Sequence, residues 1–132
     1  MDPFLEHLAT EAVDAAMKLH IRVGPGLVEK VYEALLADAL KRRGLQVERQ
    51  KPVPLVLDGH RFGKAFRLDI LVEGQLPIEV KSADVLLDTH WKQLLTYLRL
   101  MDLRLGLLIN FGEARLKDGL KRVVNRYDGF GP

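Results

Sequence analysis

Cysteine is absent from this chain, which excludes disulfides and thiolate metal sites and fits a reducing cytoplasm. Long apolar runs are missing too: nothing approaches the roughly 20 residues of a membrane-spanning helix, so no membrane partner is expected. The N-terminus, MDPFLEHLATEA, lacks the basic start and apolar segment of a secretory signal. No internal repeat, low-complexity tract or linker interrupts the sequence. Charge of one sign is also scarce, since 20 Lys and Arg against 18 Asp and Glu leave a net +2. That balance points only weakly to a polyanionic partner, and local clusters carry more information. The expectation is a cytoplasmic protein in which residues 1–132 form one domain with a modest core.

What is present begins with two helical patterns. Asp2 and Pro3 read as N-cap and first helical residue, followed by Phe4, Leu5, Leu8, Ala12, Val13, Ala16 and Met17 at helical spacing to about His20. After Gly24, Pro25 and Gly26, a stripe of Leu27, Val28, Val31, Tyr32, Leu35, Leu36, Ala39 and Leu40 predicts a second helix. Lys41, Arg42 and Arg43 suit the negative end of its dipole, and Gly44 stops it. Val47 and Val53 to Leu57, broken by Pro52 and the Asp58-Gly59 turn, predict meander strands whose prolines mark a sheet edge. A third helix is expected from Asp88 as N-cap, with Trp91, Leu94, Leu95, Leu98 and Met101 packed. LGLLINF at 105–111 reads as a buried strand. The fold class is therefore α/β: a mixed central β-sheet flanked by helices.

The informative stretch is FRLDILVEGQLPIEVKS, residues 66–82. Phe66, Leu68, Ile70 and Val72 alternate with Arg67, Asp69, Leu71 and Glu73, the period of a strand. Leu76, Ile78 and Val80 form the apolar face of the next strand, with Glu79 and Lys81 on the other. A two-residue turn at Gly74 and Gln75 would turn one apolar set outward. A three-residue connection instead pairs Val72 with Leu76, Ile70 with Ile78 and Leu68 with Val80. That register sets Asp69 opposite Glu79, with Cβ atoms roughly 5 Å apart and Lys81 beside them. Two carboxylates so placed repel, and a bound cation is the usual remedy. Mg²⁺ is commonly held by one or two carboxylates, so Asp69 and Glu79 are candidate metal ligands, and Lys81 could help deprotonate an attacking water or stabilise charge on a phosphate. The plainer alternative is a solvated strand face with an ordinary Glu79–Lys81 salt bridge.

The spacing D-x9-E-V-K over Asp69, Glu79 and Lys81 resembles the signature of the PD-(D/E)XK nuclease superfamily, with Leu68 where the Pro of that name would stand. Gly26, Glu29 and Tyr32 in GLVEKVY resemble the motif of the GxxExxY family within it. Gln93 and Tyr97 in QLLTY are similar to the Q-x3-Y motif of its exonuclease-like branches. The resemblance implies a restriction endonuclease-like core, Mg²⁺ as cofactor with Mn²⁺ as substitute, and nucleic acid, foremost DNA, as partner. It implies metal ligation by Asp69, Glu79 and the Val80 carbonyl, catalysis assisted by Lys81, and support from Glu29 and Gln93. Glu29 is equally explained as a carboxylate favourable in the first turn of a helix, and Tyr32 as a core residue with its hydroxyl at the rim.

Arg67, facing the Lys81 side in this register, is a candidate phosphate contact, and Tyr97 a candidate contact to sugar or phosphate. Arg115, Lys117, Lys121, Arg122 and Arg126 could track a nucleic-acid backbone or simply be solvated. The function expected is a metal-dependent nuclease hydrolysing phosphodiester bonds, most simply in DNA. The alternative is a catalytically inactive nuclease-fold module that binds nucleic acid or a partner protein. A third reading is a structural homodimer whose acidic pair is only surface.

Overall fold

The first helix begins as its residue types dictate. Pro3 occupies the first turn and the Asp2 carboxylate accepts the Phe4 N–H at 3.1 Å, so α1 (Pro3–Val23) is capped by its own sequence. It runs past His20 to Gly24, whose φ of 72° ends it. α2 (Glu29–Arg42) follows, its N-cap being Val28. The computed structural model describes residues 1–126; the stretch 127–132, included in the expected domain, lies outside them.

Among the described residues, five strands form one mixed sheet in the order β1-β2-β3-β4-β5: β1 (Val47–Leu57), β2 (His60–Val72), β3 (Leu76–Lys81), β4 (Leu105–Asn110) and β5 (Leu120–Val124). All neighbours are antiparallel except β3 and β4, which run parallel because α3 (Asp88–Met101) crosses between them. Pro52 and Pro54 lie in β1, an edge strand, as their missing N–H groups require. A short 3₁₀ turn (Leu116–Gly119) and β5 were not anticipated from sequence. Nor does Asp88 cap α3: Leu87 holds that position, and the His90 Nδ1 accepts the Leu87 N–H at 3.2 Å.

The sheet buries both faces. α1 and α2 cover Ile70, Val72, Ile78, Val80, Leu105, Leu107 and Ile109, while α3 sets Leu94 and Leu98 against Leu108 and Val123. Every residue of β4 is buried, which explains its unbroken apolar run. Each such Leu or Ile side chain gains about 1.5–3 kcal/mol over exposure. Only three of the eight residues of the predicted α2 stripe are fully buried, however. Tyr32, Leu36 and Leu40 face inward, whereas Val28, Val31 and Leu35 remain exposed because the sheet accepts a narrower stripe than the sequence offers.

The central hairpin has the expected three-residue connection. Val72 pairs with Leu76 and Ile70 with Ile78, and Glu73 and Gly74 both take positive φ in the turn. The expected Leu68–Val80 pair does not form, because the β2–β3 ladder stops at Ile70 and Ile78. Phe66 and Leu68 also leave the face of Ile70 and Val72. They join Leu71, Val53 and Tyr97 in a separate apolar cluster on the α3 side. The strands part at Asp69.

Candidate active site

Where the ladder stops, side chains take over its hydrogen bonds. The Asp69 N–H donates to Glu79 Oε1 at 3.1 Å, and the Val80 N–H donates to Asp69 Oδ2 at 2.8 Å. Each carboxylate thus clasps the backbone of the opposite strand, and the two acids meet inside the fork. In extended backbone a residue's N–H and C=O project to the same margin, so the Val80 carbonyl also faces it. The juxtaposition expected from the hairpin register is present, although its local geometry is a fork and not a flat ladder.

Burial makes that meeting costly. Glu79 is only 6% exposed, and loss of hydration together with the neighbouring Asp69 charge pushes its carboxyl up to about 8. Burial raises Asp69 as well, against the opposing pull of the Val80 N–H and the Lys81 charge. Two acids in one dry fork share a proton more readily than they share two charges. A hard divalent cation would replace that proton, and the donor set fits one: two carboxylates and a backbone carbonyl, all oxygen. Among the described residues no group of three or more His, Asp or Glu is placed to hold a metal ion, so beyond the pair and the carbonyl the remaining positions would fall to water and substrate.

Lys81 is largely sheltered, with its Nζ 4.0 Å from Glu29 Oε1, and its charge lowers both acids. Glu29, in the first turn of α2, is within electrostatic reach of Asp69, so the helix delivers a third carboxylate to the rim. Tyr97 is buried on α3 with its ring 5.9 Å from that of Phe66. Burial and the charges of Glu79 and Asp69 raise its phenol, so Tyr97 lies within electrostatic reach of the acid pair. Among the described residues its hydroxyl has no hydrogen-bond partner and no fully buried side-chain polar atom lacks one, so this hydroxyl keeps some exposure to solvent.

Other candidates are not brought in. Gln93 lies one turn before Tyr97 on α3, exposed and without a hydrogen bond to the acids. Arg67 is exposed opposite Pro52, and no ion pair joins it to the fork. In the basic tail, Arg122 is committed to a two-pronged pair with Glu6 at 2.7 and 2.9 Å, and Lys121 lies 5.5 Å from the Trp91 ring centroid.

Three residues escaped the sequence reading. Glu33 is 4% exposed; Arg49 Nε donates to its Oε2 at 3.0 Å, with a terminal guanidinium nitrogen in ion-pair contact at the same distance, while Gln50 Nε2 donates to its Oε1 at 2.9 Å. The same Gln50 nitrogen lies 3.5 Å from Asp69 Oδ1. The one available signal was spacing, since Glu33 falls four residues after Glu29 on the same helical face.

Tyr32 has a use that packing alone did not suggest. Its hydroxyl donates to the Gly24 carbonyl and accepts the Leu27 N–H at 3.1 Å, and its ring stacks on Phe111 at 4.4 Å. The Leu27 carbonyl in turn accepts the Ser82 hydroxyl at 2.8 Å. Tyr32 therefore anchors the loop that starts α2 beside the end of β3, which sets Glu29 against Lys81.

No curated protein and no solved structure matches the chain. No described helix is long and apolar enough to cross a membrane. The family model of the PD-(D/E)XK nuclease superfamily matches residues 6–123, a span that contains the fork and every residue around it, and the chain belongs to that superfamily.

Proposed function

We propose that this nuclease-superfamily domain is a divalent-metal-dependent phosphodiesterase acting on DNA, of the GxxExxY branch, with Mg²⁺ as the working ion and Mn²⁺ as its substitute. The observation that carries the reading is the reciprocal clasp of Asp69 and Glu79, two buried carboxylates held against each other with Lys81 alongside. Buried like charges are costly unless something charged visits them. The ion would be held by Asp69, Glu79 and the Val80 carbonyl, and when bound it supplies Lewis acidity toward a phosphate oxygen.

The chain's own residues supply the rest. Lys81, steadied by Glu29, orients the attacking water or balances charge growing on the phosphate. Tyr97 offers its surface-facing hydroxyl to sugar or phosphate. Gln93 one turn earlier and Arg67 on β2 are exposed enough to meet a polyanion laid across the fork.

The test is nicking or degradation of DNA in Mg²⁺ or Mn²⁺ by wild type, Asp69→Ala and Lys81→Ala. Activity in wild type and its loss in both variants is expected, and activity that survives both changes refutes the assignment. DNA affinity without either cleavage or metal binding would support the nuclease-fold binding module instead.

A further inference from the structure

Gln50 sits directly across from Asp69, between the Arg49–Ile70 and Lys51–Leu68 pairs of the β1–β2 ladder. Its backbone takes φ of 53°, the left-handed region that Gly fills at no steric cost and Asn or Asp fill more readily than Gln. A longer side chain at such a position needs a reason, and the amide supplies one. It lies between two carboxylates, Glu33 at 2.9 Å and Asp69 at 3.5 Å, so its NH₂ end must face them; a carbonyl there would meet only acceptors. The far end of the chain of contacts is fixed too. Arg49 holds Glu33 Oε2, leaving Oε1 for Gln50, and the Val80 N–H holds Asp69 Oδ2, leaving Oδ1.

We propose that Gln50 is a positioning residue: its amide, braced by Glu33 and Arg49, fixes the Asp69 carboxylate in the orientation that the fork presents to a cation. The proposal rests on the metal reading above for its consequence, but not for its geometry. With one oxygen bound to Val80 and the other to Gln50, the carboxylate cannot rotate about its last bond without losing a partner. Its remaining lone pairs stay directed into the fork. The left-handed backbone at Gln50 is the local strain that this placement requires.

Two variants test it. Gln50→Gly removes the amide while relaxing the backbone, so it cannot fail through strain, and Gln50→Met keeps the side-chain length without a donor. In metal-free protein, Val80 amide hydrogen exchange should accelerate about tenfold in both, as loss of support for its acceptor implies, while the amides of Ile70 and Val72 stay as in wild type. Calorimetric Mn²⁺ affinity should fall roughly 10–100-fold, the usual effect of removing a support behind a ligand. Unchanged Val80 exchange in either variant overturns the proposal. So does equal acceleration of all three amides, which would mark Gln50 as ordinary structural support. Wild-type protein that binds no Mn²⁺ would remove the metal reading alone, and Val80 exchange would still decide the positioning.

Discussion

Replacing Glu79 with Gln should make the metal-free protein more stable. The amide keeps an oxygen to accept the Asp69 N–H and offers an N–H to the Asp69 carboxylate, while removing one of two buried like charges. The sign follows from linkage. A carboxyl raised on folding binds its proton more tightly in the native state, so its contribution is present in full below its ordinary 4.5 and is lost as pH rises through about 8. At about 1.4 kcal/mol per unit, wild type loses ~3 kcal/mol of that contribution by pH 7 and ~5 kcal/mol by pH 9. A chain of this size shifts its Tm by about 3–5 °C per kcal/mol, so Glu79→Gln should melt on the order of 10 °C higher than wild type at pH 8 in chelator. Saturating Mn²⁺ should narrow the gap. An ion at one hundred times its Kd adds about 2.7 kcal/mol to the wild type. It adds nothing to a variant that has lost a ligand. Thermal melts at several pH values, with chelator and with Mn²⁺, read both effects. A Glu79→Gln protein no more stable than wild type at pH 8 without metal would refute the account of the fork.

Two further outcomes test the frame around it. Tyr32→Phe removes a hydroxyl bonded to Gly24 and Leu27 but keeps the stack on Phe111, so denaturant melts should show a loss of about 1–3 kcal/mol. Arg122→Ala removes an ion pair whose members are 46% and 41% exposed, so a change above about 1 kcal/mol in the same melts would contradict its reading as a surface contact.

The hairpin register was legible because period two and a shared apolar face leave few alternatives: a two-residue turn would have exposed one strand's core. Asp2 and Pro3 announced α1 for an equally local reason. What could not be read was where pairing ceases. Nothing in FRLDI says that Leu68 will pack beside Tyr97 while Ile70 packs under α1 and α2, since that choice depends on α3 arriving from twenty residues further on. Gln50 was invisible because its left-handed backbone and its span between two acids belong to tertiary structure. Glu33 was hidden by company: amid an apolar stripe, a single Glu looks like a solvent-facing residue until Arg49 is seen beside it. The strand β5 offered only LKRVV, too brief and too basic to stand out against a loop.

The prolines of β1 bear on how copies of this chain could meet. Spaced two apart, Pro52 and Pro54 remove donors from a single border of the outermost strand, so an incoming strand finds acceptors there without matching N–H groups. Self-association by continuing one sheet into another is discouraged at that border. A homodimer would have to find other ground, and Val28 at the N-cap of α2 with Val31 and Leu35 on the helix are the exposed apolar residues there.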